Sequence, residues 1–223
     1  MPELSAEFVW QMEDVLDLYA RPYDPEEPVI CFDETSKQLV ADVTPPTPAA
    51  PGQPARYDYE YQRNGTRNLF LWCEPLQGVR HLEVTEHRCK ADVALQLQAL
   101  VDDHYPTARR IHLVWDHLNV HTPAVLYEVY PPEEAKRIAD RLQVHYTPKH
   151  GSWLNQAEIE FAILTRQCLD RRIPDAPTLE HEVAAWEDDR NERRTMIKWL
   201  FNVHDARTRL ASLYPVTSSV ADH

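Results

Sequence analysis

The sequence predicts an α/β domain built on a mixed five-stranded sheet that is flanked by helices, with a helical extension at the N-terminus. Three apolar runs separated by turn signals come first, and two more such runs then alternate with helical patterns. Successive short runs predict an antiparallel meander, whereas strands joined through helices predict parallel crossover connections. With 223 residues and 43% hydrophobic residues, the chain can bury a large core.

The N-terminal stretch carries apolar residues at helical spacing with acidic residues between them, which predicts an amphipathic helix over residues 4–20. We therefore divide the chain into residues 1–27 (acidic helix and linker), 28–215 (main domain) and 216–223 (tail). The start of the chain has no secretory or transit pattern, and no apolar run reaches the length of a membrane span. We expect a cytoplasmic protein.

Strands are predicted where short apolar runs are bounded by turn residues. They cover residues 29–33, 68–73, 79–85, 111–115 and 143–146, with 39–43 as a candidate hairpin extension of the first. Helices are predicted at residues 91–104, 123–130, 132–142, 155–169, 178–191 and 195–203.

Two of the predicted strands end in an acidic residue. VICFD ends at Asp33, and IHLVW is followed by Asp116. If these strands are parallel neighbours, both carboxylates lie at the carboxyl edge of the sheet, where open α/β sheets bind their ligands.

A third carboxylate comes from the start of a helix. Pro148 and Gly151 end the preceding segment, Asn155 is a good N-cap, and Glu158 then falls in the first helical turn. Alternatively, Asn155 and Glu158 form a capping box, in which the glutamate only stabilises the start of the helix.

Three carboxylates at one edge form a pocket that cannot stay fully ionised without a counter-charge. Mg²⁺ and Mn²⁺ prefer oxygen ligands of this kind, and two such ions can catalyse phosphodiester cleavage. The residues therefore predict phosphoryl transfer with Mg²⁺ or Mn²⁺ in a two-metal site.

The net charge of −13 argues at first against a nucleic-acid substrate. However, residues 1–135 hold 10 Lys and Arg against 23 Asp and Glu, whereas residues 136–223 hold 13 of each. The acidic excess thus belongs to the N-terminal part, and the second part carries arginine clusters that are either solvated helix faces or phosphate contacts.

Three segments resemble the catalytic region of DDE transposases from the bacterial insertion sequences of the mariner superfamily. They are CFDE (31–34), WDHLNVHT (115–122) and YTPKHGSWLNQAEIEFAILTRQCLDRRIPD (146–175), and the likeness extends over roughly residues 28–215. The resemblance implies a ribonuclease-H-like fold, in agreement with the strand order. It also implies DNA cleavage at element ends and joining of the freed ends to a target.

Position by position, the resemblance assigns Asp33, Asp116 and Glu158 as the catalytic and metal-binding triad. Glu34 and Glu160 are the nearest competitors. Glu34 should point to the opposite face of the sheet from Asp33, and Glu160 lies about 200° around the helix from Glu158. We predict structural roles for both.

Four residues beside the triad are candidate DNA contacts, namely Lys149, His150, Asn119 and His121. For the two histidines a structural or supporting role is equally open. His117 departs from the asparagine that usually follows the second aspartate of the family.

The resemblance further implies a homodimer acting on element ends and on TA targets. Relatives carry N-terminal helix-turn-helix modules, and residues 1–28 contain no counterpart, so a separate helix-turn-helix subunit or an intact transposase is a possible partner. Two other functions remain open: a non-catalytic regulator of an intact transposase, and a ribonuclease-H-like nuclease without transposition.

Overall fold

A mixed sheet of five strands forms the centre of the computed structural model, which describes residues 6–44, 47–54, 59–116 and 121–215. The strands are β1 (Val29–Asp42), β2 (Tyr61–Glu74), β3 (Val79–Thr85), β4 (Ile111–Trp115) and β5 (Leu142–Tyr146). Their spatial order is β3-β2-β1-β4-β5. The first three strands are antiparallel, and β4 and β5 run parallel to β1. The predicted mixed sheet is confirmed.

The first two strands are longer than predicted, with 14 residues each. Residues 29–33 and 39–43 were predicted as separate segments, but β1 runs through both as far as Asp42, with a register shift between Gln38 and Val40. The polar residues between them still pair with β2, as Ser36 does with Asn68. Because these residues are polar, they do not belong to an apolar run, although they lie within the strand.

Seven α-helices surround the sheet in the described residues. They are α1 (Ala6–Tyr19), α2 (Lys90–Ala99), α3 (Leu126–Val129), α4 (Pro132–Ala139), α5 (Gln156–Leu164), α6 (Ala176–Glu192) and α7 (Val203–Arg209). Wider π-helical turns continue α2 through Leu100–His104 and α5 through Thr165–Leu169. None of the described helices is both long and apolar enough to cross a membrane.

Two hydrophobic cores lie on opposite faces of the sheet, as the alternation of side chains along β1 requires. Cys31 packs in one core with residues of α1, α5 and α6. Ile30 and Phe32 pack in the other core with residues of α2, α3 and α4. The N-terminal helix contributes Met12 to the first core, so it packs against the sheet domain. The division at residues 27 and 215 stays a prediction.

The predicted helix over residues 195–203 is wrong. Residues 195–202 have no regular secondary structure, and α7 begins only at Val203. Arg194 adopts a positive φ of 45°, which ends α6. The following backbone then bonds to the sheet domain, since the Ile197 N–H donates to the Pro75 carbonyl at 3.0 Å and the Thr195 carbonyl accepts from Arg80 at 2.8 Å. These tertiary bonds replace the bonds of a helix.

Candidate active site

Asp33 and Asp116 lie side by side because β1 and β4 are parallel neighbours. Cys31 of β1 pairs with Val114 of β4, so each aspartate comes two residues after a matched position. The condition under which the two carboxylates were expected to meet, parallel pairing of the first and fourth strands, is therefore fulfilled.

Glu158 reaches the same region because the start of α5 is bonded to β1. The Asn155 side-chain amide donates to the Phe32 carbonyl at 2.8 Å, next to Asp33 in the chain. The Asn155 side-chain oxygen accepts from the Ala157 N–H at 3.1 Å, which caps the helix. A capping box would instead use the N–H of Glu158. The cap therefore leaves the Glu158 side chain exposed in the first turn.

The three carboxylates act on one another electrostatically. The pKa of Asp33 is raised to about 7, first by burial and then by the charges of Glu34, Asp116 and Glu158. The N–H of Glu34 donates to Asp33 Oδ1 at 2.8 Å and opposes this rise only in part. A buried carboxyl that is hard to ionise beside other acids is typical of a site for a cation.

The kind of donor atom at this edge fits a hard divalent cation, because carboxylate oxygens are the ligands that Mg²⁺ and Mn²⁺ prefer. In the part of the chain that the structure describes, no three His, Cys, Asp or Glu side chains are close enough together to hold an ion.

His121 lies behind the aspartates and links two carboxylates. Its Nδ1 bonds to Asp116 Oδ1, and its Nε2 bonds to Glu34 Oε2 at 2.8 Å. Burial lowers the pKa of His121, but the bonds to Asp116 and Glu34 outweigh burial and raise that pKa to about 9. The side chain of His121 has an exposed fraction of 0%. This burial favours the structural or supporting role that the sequence left equally open for His121, and its contact with DNA stays a prediction.

Glu34 was predicted to be structural on the face opposite Asp33, and its side chain does lie in the interior with His121. Sequence reasoning missed that Glu34 and His121 form a chain ending at Asp116. The signal available was slight: a glutamate directly after Asp33 and a histidine five residues after Asp116.

Glu160 is fully buried and bonded to two arginines. Its Oε1 accepts from Arg190 Nη2 at 2.9 Å and from Arg80 Nη2 at 3.3 Å. This ion-pair cluster connects α5 to β3 and α6, as a structural residue does. The predicted structural role of Glu160 is confirmed.

The other candidate DNA contacts lie at the start of the segment before α5. Lys149 and His150 are both exposed, and His150 adopts a positive φ of 66°. Asn119 and His117 lie outside the described residues. Trp153, in the same segment, has an exposed fraction of 42% and stacks on Trp199 with ring centroids 6.3 Å apart.

The arginine clusters of the second half of the chain are largely engaged in ion pairs within the protein. The pairs are Arg171 with Glu182, Arg172 with Asp42, Arg190 with Glu160, and Arg193 with Asp189. They give only weak support for a phosphate-binding face.

The mixed sheet, with Asp33 on β1, Asp116 directly after the neighbouring parallel strand β4 and Glu158 on a following helix, defines a ribonuclease-H-like protein. The chain belongs to the DDE superfamily endonuclease family, whose profile matches residues 28–180. The predicted family is thus confirmed at this level. No curated protein sequence matches the chain.

Solved structures of the Mos1 mariner transposase share the fold. A paired-end complex with Mn is 16% identical with a TM-score of 0.57, and the match covers 95% of this chain and 62% of that one. A paired-end complex with Mg is 19% identical with a TM-score of 0.56, covering 97% and 65%. A strand transfer complex is 16% identical with a TM-score of 0.57, covering 92% and 59%. The chain therefore spans less than two thirds of the Mos1 chains that it resembles.

Proposed function

We propose that this protein is the catalytic domain of a DDE transposase, which cleaves DNA and joins the freed ends to a target in a reaction that depends on Mg²⁺ or Mn²⁺. One observation carries the proposal. Asp33 lies on β1, Asp116 directly follows β4, and Glu158 lies in the first turn of α5. The negative charges of Asp116 and Glu158 are close enough to Asp33 to help raise its pKa.

The three residues differ in how they are held, and we assign their roles accordingly. Asp33 is the most enclosed and is fixed by the N–H of Glu34, so it would be the central ligand. Asp116 would share the ions from the neighbouring strand, and Glu158 would complete the site from the helix start. When bound, a pair of divalent cations supplies Lewis acidity toward the attacking and leaving oxygens of a phosphodiester.

DNA would approach the exposed side of this edge. We assign phosphate contacts to Lys149 and His150, which are exposed in the segment leading to α5, and to Asn119. The solved Mos1 structures are paired-end and strand transfer complexes. By analogy, we propose that this chain acts on element ends and a TA target as a homodimer, in the cytoplasm, with end recognition supplied by helix-turn-helix modules.

The experiment that tests the proposal is nicking of supercoiled plasmid DNA in Mn²⁺, compared between wild type and single triad variants. Asp33→Asn, Asp116→Asn and Glu158→Gln should each abolish nicking. Glu133→Gln is the matched control, because Glu133 is an exposed first-turn glutamate of α4, away from the triad. Loss of nicking in the control as well would point to a contaminating nuclease.

The alternatives give different outcomes in the same assay. A non-catalytic regulator would show no nicking in the wild type under any divalent cation. A ribonuclease-H-like nuclease without transposition would cut an RNA·DNA hybrid in preference to DNA and would join no 3′-hydroxyl end to a target. Either result would overturn the transposase proposal.

A further inference from the structure

The chain of hydrogen bonds from Glu34 through His121 to Asp116 lies directly behind the proposed metal site. Both partners of the His121 ring are carboxylates, which accept hydrogen bonds, so the ring donates from both nitrogens. Glu34 is the residue after Asp33 on β1, and Asp116 directly follows β4. These hydrogen bonds therefore connect β1 with the residue that follows β4. Glu34 points to the face opposite to Asp33.

The ring and the main chain of His121 are both held by neighbouring residues. The ring stacks on Trp115, with ring centroids 4.6 Å apart and planes inclined by 23°. The Tyr146 hydroxyl donates to the main-chain oxygen of His121 at 2.9 Å. The Glu34 side chain has an exposed fraction of only 1%, and its second oxygen lies 3.6 Å from a guanidinium nitrogen of Arg88. These contacts restrict the orientation of the imidazole.

The Asp116 carboxylate ends this chain of hydrogen bonds. It lies directly after the last residue of β4, and its side chain has an exposed fraction of 26%. A ligand carboxylate loses conformational entropy when it binds an ion. A hydrogen bond from a rigid neighbour removes part of that loss in advance, as partners behind the ligands do in metal sites.

We propose that Glu34 and His121 are positioning residues, in which Glu34 orients the His121 ring and His121 in turn holds the Asp116 carboxylate for metal binding. This inference rests on the proposed function, because it concerns the same site. It adds two residues to the machinery that contact neither substrate nor ion. The competing explanation is that the hydrogen bonds from Glu34 through His121 to Asp116 only stabilise the fold.

Binding of Mn²⁺ to the protein without DNA separates these explanations, with free Mn²⁺ measured by electron paramagnetic resonance. Glu34→Ala removes the acceptor for His121 and should weaken Mn²⁺ binding by about tenfold or more. Glu34→Gln keeps an acceptor oxygen and should restore binding close to that of the wild type. His121→Asn should resemble Glu34→Ala, and it carries the comparison if Glu34→Ala does not fold.

His145→Ala is the matched control. His145 is also a buried histidine bonded to a carboxylate, with Nδ1 at 2.7 Å from Asp14 Oδ2, but its other ring nitrogen bonds to His112 and not to a triad residue or Glu34. This variant should lower the unfolding temperature without changing Mn²⁺ affinity. If Glu34→Ala and His121→Asn also lower the unfolding temperature without changing Mn²⁺ affinity, the hydrogen bonds from Glu34 to Asp116 are only structural and the inference is overturned.

A double variant gives an independent test. Residues that act through one chain should be non-additive, so adding Glu34→Ala to His121→Asn should weaken Mn²⁺ binding little further. Full additivity would overturn the inference. If the double variant is additive, the proposed function still stands provided that the wild type binds Mn²⁺ and the Asp116→Asn variant does not. A wild type that binds no Mn²⁺ would overturn both.

Discussion

The side-chain amide of Asn155 donates to the main-chain oxygen of Phe32 at 2.8 Å, within the interior of the protein. One side chain thus caps the helix that carries Glu158 and ties that helix to the strand that carries Asp33. The separation between two triad residues is therefore set by a residue that belongs to neither strand nor helix.

Replacing Asn155 by Ala should reduce both stability and DNA nicking. The change removes the cap and leaves the Phe32 carbonyl unpaired in the interior, which should lower the free energy of unfolding by about 2–4 kcal/mol. Nicking should fall further than the unfolded fraction explains, because Glu158 loses its fixed position. Urea denaturation and plasmid nicking at a temperature where the variant is folded measure the two effects.

Asn202→Ala is the control for that variant. Asn202 caps α7 through the N–H of Asp205 at 3.0 Å, so its loss should cost about 1 kcal/mol while nicking in the folded protein stays unchanged. Equal nicking in both cap variants would show that the bond to Phe32 does not position the site.

Glu158→Gln and Glu160→Gln should have opposite effects, although the two residues share one helical turn. Glu158→Gln removes an exposed charge, so it should abolish Mn²⁺-dependent nicking with little change in stability. Glu160→Gln leaves Arg80 and Arg190 without their buried carboxylate, so it should lower the free energy of unfolding by about 3–5 kcal/mol. Nicking per folded molecule should survive in Glu160→Gln. Reversed results would show that the triad is assigned to the wrong glutamate.

The stability of the protein without divalent ions should depend on the ionisation of Asp33. The pKa of this carboxyl is raised from 3.8 to about 7 in the folded protein, chiefly by burial. Between these values the folded state binds more protons than the unfolded state, so the contribution of Asp33 to the free energy of unfolding falls as pH rises. That contribution should change little above the folded-state pKa.

Asp33→Asn cannot ionise, so it should be more stable than the wild type at pH 8 in EDTA, by on the order of 1–3 kcal/mol. The difference should shrink as the pH is lowered toward 4. Chemical denaturation at a series of pH values measures it. Asp188→Asn, at an exposed position of α6, should not produce this pH-dependent difference. If Asp33→Asn is no more stable than the wild type at pH 8, the ionised Asp33 carboxylate does not destabilise the folded protein and the prediction is wrong.

Mn²⁺ should raise the unfolding temperature of the wild type. An ion that binds only the folded site stabilises it by mass action, by about 2.7 kcal/mol at a concentration one hundred times its Kd. Differential scanning fluorimetry with and without millimolar Mn²⁺ measures the shift, and Asp116→Asn should remove it. Ca²⁺ should also bind but support little cleavage, because its looser coordination positions the nucleophile poorly. An unfolding temperature indifferent to Mn²⁺ would favour the non-catalytic regulator.

The sequence by itself determined the local elements and their order. Short runs bounded by turn residues predicted Val79–Thr85 and Ile111–Trp115 with the observed bounds. The cap at Asn155 and the position of Glu158 in the first turn also followed from local chemistry. Connection rules allowed β1 and β4 to be parallel neighbours, and the structure shows the pairing that brings Asp33 and Asp116 together.

Only the tertiary structure decided what depends on residues distant in the chain. Residues 195–202 have a sequence compatible with a helix, but their backbone bonds to Pro75 and Arg80 instead. His121 resembled a DNA contact in sequence, yet it is buried between Asp116 and Glu34, 87 residues away. Periodicity and capping are read within one or two helical turns, whereas these contacts arise from packing between elements. Their partners could not be inferred before the strands were placed side by side.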